Sequence, residues 1–199
     1  MEMSTSCTSH LDFGSGENPR NPFSYQNVYP LDVYENSDGG LTIRPGQIIP
    51  FADNSFDSVS AYDVIEHLSR VGIPSDFVFY MNEMYRVLKP GGLALFVFPL
   101  YKHRNFFNDP THINPTTLEL FKFFSGPELH PYTGILTRYE IIKLGKLLDW
   151  RKWVHIPEVR KFEQNYISLR RRASLTKRAT LRFLVPTHGI FIGRKPDEF

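Results

Sequence analysis

Two groups of residues in this sequence have the types and spacing for chemistry. Near the N-terminus, Leu11-Asp12-Phe13 runs into Gly14-Ser15-Gly16. Glycines at such a turn adopt backbone angles forbidden to other residues and let a ligand approach the main chain. Such a turn at the carboxyl end of a strand is the usual cradle in open α/β sheets, although a lone G-x-G is a weak signal. Asp32 follows at the end of the next candidate strand. An acid there can accept two hydrogen bonds from a ribose diol, although a solvated aspartate at a strand end gives the same pattern. The second group is Asn108-Asp109-Pro110-Thr111-His112. An imidazole can take a proton near neutral pH, Asp109 is close enough in sequence to orient it, and Pro110 stiffens the loop. His112 is thus the candidate general base, with His103, Tyr101 and Tyr62 as alternates; a loop-bracing role for His112 stands beside it. The single cysteine, Cys7, excludes an internal disulfide framework and a thiolate cluster, and no His-rich run argues for a metal.

The elements that must position these residues follow from pattern. Leu11 to Phe13 reads as a short buried strand, Val28 to Val33 as the second, and Leu41 to Ile43 as a third. Two prolines and two asparagines between residues 17 and 23 argue against a long helix in that connection. Phe56 to Ala61 reads as a central strand turning into a short helix, with Asp63 at its carboxyl end. Phe77, Tyr80, Met81, Met84, Tyr85 and Leu88 recur at helical spacing behind a Ser75 or Asp76 cap. Lys89-Pro90-Gly91-Gly92 stops that helix, and Leu93 to Phe98 is the unbroken apolar run of a strand covered on both faces. The loop holding Asp109 and His112 therefore leaves the sheet on its ligand side. Thr116-Thr117-Leu118-Glu119 carries a capping-box pattern and starts a helix. Tyr139 to Leu148 fits strand or helix by period; a strand over Arg138 to Leu144 is favoured because the sheet still needs completing, and Gly189 to Arg194 is the last strand.

Bulk properties narrow the class. A chain of 199 residues, 41% of them hydrophobic, has the size and composition of one globular domain over 1–199. No run reaches the roughly 18–20 apolar residues of a membrane span, and the N-terminus lacks a secretory pattern, so the cytoplasm is the expected compartment. Charge is uneven. Residues 1–149 balance to −6 and residues 150–199 to +8, which marks a basic inserted segment at about 150–180. Arg170-Arg171-Arg172 there could meet nucleic acid or anionic lipid, but a solvated helix face is the commoner meaning of such a run.

Four blocks in this order resemble the class I, Rossmann-like S-adenosylmethionine-dependent methyltransferases, in the branch of small single-domain enzymes. They are Leu11 to Gly16, Ile49 to Asp57, Asp63 to Leu68, and Arg86 to Gly92. The resemblance covers roughly residues 10–100. It implies an α/β fold with a mostly parallel sheet and an antiparallel strand near the C-terminal end. It implies S-adenosylmethionine as cofactor, its methionine part at Asp12, Gly14 and Gly16, and its ribose hydroxyls on Asp32. Ile48 and Ile49 then flank the adenine, and Tyr62 and Asp63 lie near the sulfonium. Glu66 and His67 are typical of the branch and read as structural. The chain departs from the family in its shortened N-terminal helices and in Arg44-Pro45-Gly46, which stands where an acid often precedes the adenine loop. Closure of the pocket by the C-terminal segment or by a second subunit is compatible with these losses.

Three functions follow as expectations. The favoured one is methyl transfer to a small-molecule or sugar-like acceptor, since the stretch after Phe98 is polar and aromatic. The alternatives are an RNA or protein methyltransferase using the basic segment, and a catalytically inactive methyltransferase-like binding subunit. A nicotinamide-dependent oxidoreductase is disfavoured, because Pro19 stands where the third glycine of G-x-G-x-x-G would fall.

Overall fold

The computed structural model describes residues 8–35, 39–72, 75–126, 133–147 and 187–197. The basic segment at 150–180, with Arg170, Arg171 and Arg172, lies outside the described residues. Seven strands form one sheet: β1 Ser9–Phe13, β2 Asn27–Asp32, β3 Leu41–Thr42, β4 Phe56–Tyr62, β5 Leu88–Pro99, β6 Glu140–Leu147 and β7 His188–Arg194. Their spatial order is β3-β2-β1-β4-β5-β7-β6. The five strands from β3 to β5 are mutually parallel, and β7 runs antiparallel to both its neighbours. This is the α/β, mostly parallel sheet expected, with its antiparallel strand next to one edge.

One α-helix, α1 Asp76–Val87, stands among the described residues. The Ser75 side chain accepts a hydrogen bond from the Val78 N–H, an N-cap that satisfies one orphan donor of the first turn. Phe77, Tyr80, Met81 and Met84 turn inward and join Leu11, Phe13, Leu31, Val59 and Phe96 in the main core. Lys195, just past β7, donates to the Tyr85 and Leu88 carbonyls at the other end of the helix. The expected stop at Lys89–Gly92 is drawn into a longer β5, whose pairing with β4 is irregular between Phe56 and Ser58. The capping box also differs. The Thr116 hydroxyl donates to the Pro99 carbonyl, and Thr117 accepts from Leu120 N at the start of a 3-10 turn over Glu119–Phe124.

The opposite face of the sheet holds a smaller core of Phe23, Tyr62, Leu95, Val97, Leu147, Ile190 and Ile192. Among the described residues it is covered by loop rather than helix, because residues 14–26 contain no helix between β1 and β2. A buried polar chain takes part of that space. His10 contacts the Ser58 hydroxyl at 2.7 Å and the Ser60 hydroxyl at 3.0 Å, and Ser60 donates to Asp12 at 2.6 Å. Asp12 also accepts from Arg20 N at 2.7 Å, which ties the incoming loop down without a helix.

Burial pushes the Asp12 carboxyl up to about 6 and the His10 imidazole down to about 4. These two effects oppose each other on acidification. Neutral His10 favours the fold above its unfolded value near 6.5, and that contribution is lost as pH falls to 4. Protonated Asp12 favours the fold at low pH, and that contribution is lost as pH rises to 6. The melting temperature of Asp12→Asn is therefore expected to fall more steeply than that of the wild type between pH 6.5 and 4, as a thermal melt across that range would register.

Candidate active site

The sheet order reverses between β1 and β4, and open α/β sheets bind ligands in the crevice outside such a point. Phe13 of β1 pairs with Ala61 of β4, so Gly14 and Asp63 leave the sheet side by side. A cleft of about 620 Å³ opens there. Gly14, Gly16 and Asp32 lie along one side, and Asp63, His67 and Thr111 along the other.

Gly14 has φ +73°, and a Cβ on it would lie 2.1 Å from Cγ2 of Val64. Its N–H donates to the Leu31 carbonyl at 2.7 Å, which carries the turn across the end of β2. Gly16 has φ +57°, and a Cβ on it would meet nothing within 4 Å. The main chain at Gly16 thus borders open cleft. Asp32 accepts from the Gly16, Val33 and Tyr34 N–H groups at 2.7, 2.7 and 3.1 Å, which holds its carboxylate at the cleft wall. Asp63 adopts φ +54°, a region sparsely populated by residues with side chains. Its N–H donates to Val97, and its carboxylate lies 3.2 Å from Nε2 of His188.

Four expected cofactor contacts sit elsewhere. The Asp12 carboxylate points to the far face of the sheet, because strand alternation opposes it to Leu11 and Phe13, and it is taken up by Ser60 and Arg20. Tyr62 is buried on that same far face with the Arg20 guanidinium 4.7 Å above its ring. Ile48 is 66% exposed and Ile49 is wholly buried. Ile49 is held there by its N–H on Glu83 and its carbonyl on Arg86, so the 48–51 loop is clamped to α1 away from the cleft.

Val33, Tyr34, Ile43 and Pro45 line the cleft in their place. Val33 and Tyr34 could have been found as the residues directly after Asp32. Tyr80 reads from its period as core alone, yet its hydroxyl accepts from Gly46 N and donates to the Arg44 carbonyl, pinning the 44–46 turn to the cleft wall.

The loop after β5 does reach the cleft, through Thr111 and Ile113. His112 turns behind that wall. Its Nδ1 lies 2.8 Å from the Phe106 carbonyl, and its Nε2 is 3.7 Å from Asp109 and 3.9 Å from Glu66. Asp109 and His112 are brought together, but the Phe106 carbonyl is what orients the ring. Asp109 is engaged by the Thr111 N–H and hydroxyl at 2.8 and 2.5 Å, which hold its carboxyl below the usual range. Glu66 and His67, read from the sequence as structural, lie beside His112. His67 is on the cleft wall and meets the His112 ring edge-on at 4.8 Å. The Glu66 carboxyl is fully buried, and burial, with Asp63 nearby, pushes it up to about 9.

Residues 24–96 match a family model described as a methyltransferase domain. Among solved structures, an S-adenosylmethionine-dependent methyltransferase from Archaeoglobus fulgidus superposes with TM-score 0.55 at 18% identity, over 96% of this chain and 87% of that one. One from Aquifex aeolicus gives 0.53 at 12% identity, over 96% and 83%. Haemonchus contortus phosphoethanolamine N-methyltransferase 2, solved with S-adenosyl-L-methionine, gives 0.56 at 18% identity, over 96% of this chain and 49% of its own length. No curated protein matches the sequence. The family match over residues 24–96 and the shared fold support a class I, Rossmann-like S-adenosylmethionine-dependent methyltransferase.

The Gly14–Val64 approach gives a direct test. Gly14→Ala combines a left-handed backbone, costing about 1–2 kcal/mol for a side chain, with overpacking that typically costs about 1–3 kcal/mol. Denaturant unfolding should show a loss of that combined order, and Val64→Ala added to it should restore part by emptying the space the new methyl enters.

Proposed function

We propose that the chain transfers a methyl group from S-adenosylmethionine to a small-molecule or sugar-like acceptor. The observation that carries this reading is the cleft at the β1/β4 reversal, bordered by a side-chain-free main chain at Gly16 and by the Asp32 carboxylate. These features fit the cofactor part by part. Gly14 and Gly16 would take the methionine portion, Asp32 the ribose diol, and Val33, Tyr34, Ile43 and Pro45 the adenine. Asp63, leaving β4, would stand near the sulfonium. The bound cofactor supplies a methyl carbon activated by its positive sulfur.

The rest of the work falls to positioning and to proton removal. Holding reactants in line can contribute about 7–11 kcal/mol. The acceptor would enter beside His67 and Thr111, with His112 and Asp109 behind them as the groups that receive the proton. A small acceptor is favoured over RNA by charge. Asp32, Asp63 and Asp76 line the cleft, and no Lys or Arg is among its described lining residues, whereas phosphate backbones are held by cations.

Calorimetry with S-adenosylhomocysteine tests the cofactor site. Asp32→Ala should weaken binding by about tenfold or more, since hydrogen bonds to a charged acceptor contribute about 1.5–3 kcal/mol each, and Asp32→Asn should weaken it less. Failure of the wild type to bind at millimolar ligand would remove the methyltransferase reading. A labelled-methyl assay over hydroxylated small molecules tests the acceptor end. His112→Ala should lower turnover by about 10²-fold or more with cofactor affinity unchanged. Methylation confined to RNA, and lost steeply with salt, would replace the small acceptor with a nucleic acid.

A further inference from the structure

We propose that Glu66, His67 and His112 bind one divalent transition-metal ion at the acceptor end of the cleft. The site stands on its own geometry, whereas the use made of the ion rests on the methyl-transfer reading. The three side chains come from two separate segments, the 3-10 turn after β4 and the loop after β5. One ligand atom from each lies within 4.8 Å of the other two. Imidazole and carboxylate ligands bind at about 2.0–2.2 Å, so two ligands of a tetrahedral ion stand about 3.4 Å apart. His112 Nε2 and Glu66 Oε1, at 3.9 Å, are close to that separation. Side-chain rotation at His67 and His112 would close the rest around an ion.

The surroundings fit a metal better than they fit a metal-free core. Glu66 is 0% exposed, and neither of its carboxyl oxygens has a hydrogen-bond partner. A buried carboxyl without a hydrogen-bond partner either stays protonated or coordinates a metal, because a bare charge there costs several kcal/mol. His112 at 3.9 Å is too far to hydrogen-bond to it, and Asp63 and Asp109 add negative charge nearby. A cation at this point would answer all three carboxylates.

The imidazoles are also set for ligation. His112 Nδ1 faces the Phe106 carbonyl at 2.8 Å, and His67 Nδ1 faces the Thr111 carbonyl at 3.2 Å. A carbonyl only accepts, and the Thr111 hydroxyl, 3.0 Å from His67 Nδ1, gives its proton to Asp109, so each Nδ1 carries the proton and each Nε2 presents a lone pair. Metal-bound histidines are typically oriented in this way by an acceptor on the other ring nitrogen.

Two imidazoles and one carboxylate suit zinc, cobalt, manganese or ferrous iron, whereas magnesium and calcium prefer oxygen sets. Three protein ligands leave a coordination position open, and His67 and Thr111 place that position toward the cleft. A hydroxyl acceptor bound there would be acidified. With His112 Nε2 on the ion, His112 acts as a ligand and not as the base. The proton then passes to Asp109 or solvent, and a loss of turnover in His112→Ala would report loss of the ion. The oxygen then uses its electron pair to form the bond to the methyl carbon, while the carbon–sulfur bond breaks and its pair stays on sulfur.

Cobalt(II) added alone to the full chain is the probe. One equivalent should give visible ligand-field absorption and be displaced by zinc(II). His67→Ala and Glu66→Gln should each weaken binding by more than about tenfold, while Cys7→Ser leaves it unchanged. His67→Ala changes a residue at the cleft wall, so a folded variant is expected, and circular dichroism checks this. Should Glu66→Gln fail to fold, the His67→Ala comparison decides alone. Equal cobalt affinity in the wild type and the folded His67→Ala variant, or no binding by the wild type at millimolar cobalt, overturns the site. Calorimetry with S-adenosylhomocysteine separates the two readings. Homocysteine-cofactor binding without cobalt binding overturns the metal alone, and cobalt binding without the cofactor supports the site and overturns its use in methyl transfer.

Discussion

The close approach of Gly14 to Val64 is the constraint on which the rest of the site depends. β1 and β4 are adjacent, parallel strands that leave the sheet at the same end. The chain after β1 must turn toward β2, and the chain after β4 must turn the other way. A Cβ at Gly14 would stand 2.1 Å from a methyl of Val64, so the two exits fit only because one has no side chain. That fit sets the floor of the cleft and places the Gly14–Gly16 main chain opposite Asp63 and His67.

Among the described residues one face of the sheet carries loop in place of helix, and this changes how the floor is supported. In doubly wound folds the first turn is usually followed by a helix packed on the sheet. Here Asp12 and Ser60 hold the loop from beneath through Arg20 N, and Phe23 and Tyr25 supply its apolar contacts. A buried carboxylate is a costly anchor compared with a helix face. The cost is met by two short hydrogen bonds and by the raised pKa that lets the group stay neutral in mild acid. On the other face α1 does more than fill the core. Glu83 and Arg86 clamp the 49–53 loop, and Tyr80 pins the 44–46 turn. One helix thereby shapes the far wall of the cleft.

The end of the cleft at His67 and Thr111 is built differently, from charge rather than shape. Glu66 is held by its backbone, whose carbonyl accepts from Ile113 and Asn114 N–H at 3.0 and 2.8 Å. Those bonds dock the loop after β5 against the turn after β4, and the same docking carries His112 to the Glu66 carboxyl. The loop that closes the cleft and the loop that gathers the ionisable side chains are therefore one structure. A change that loosens it would move both.

Several parts of this protein were legible in the order of its residues, for local reasons. Alternation and apolar runs mark β1, β4, β5 and β7; a 3.6-residue period with Ser75 ahead of it marks α1; glycine pairs mark the turn that only they can make. The end of each strand follows, and with it the place of Asp32 and Asp63 at the mouth of the sheet. Only the tertiary structure decided which side chains face the cleft. Ile48 and Ile49 were turned away by the clamp from α1, and Tyr62 and Asp12 by their strands' alternation relative to a cleft whose position is not written in either strand. The meeting of Glu66, His67 and His112 depends on loop docking across more than forty residues of chain, and such a contact leaves no periodic or local trace. Its components are ordinary residues at ordinary spacings; their chemistry exists only where the fold brings them within reach of one another.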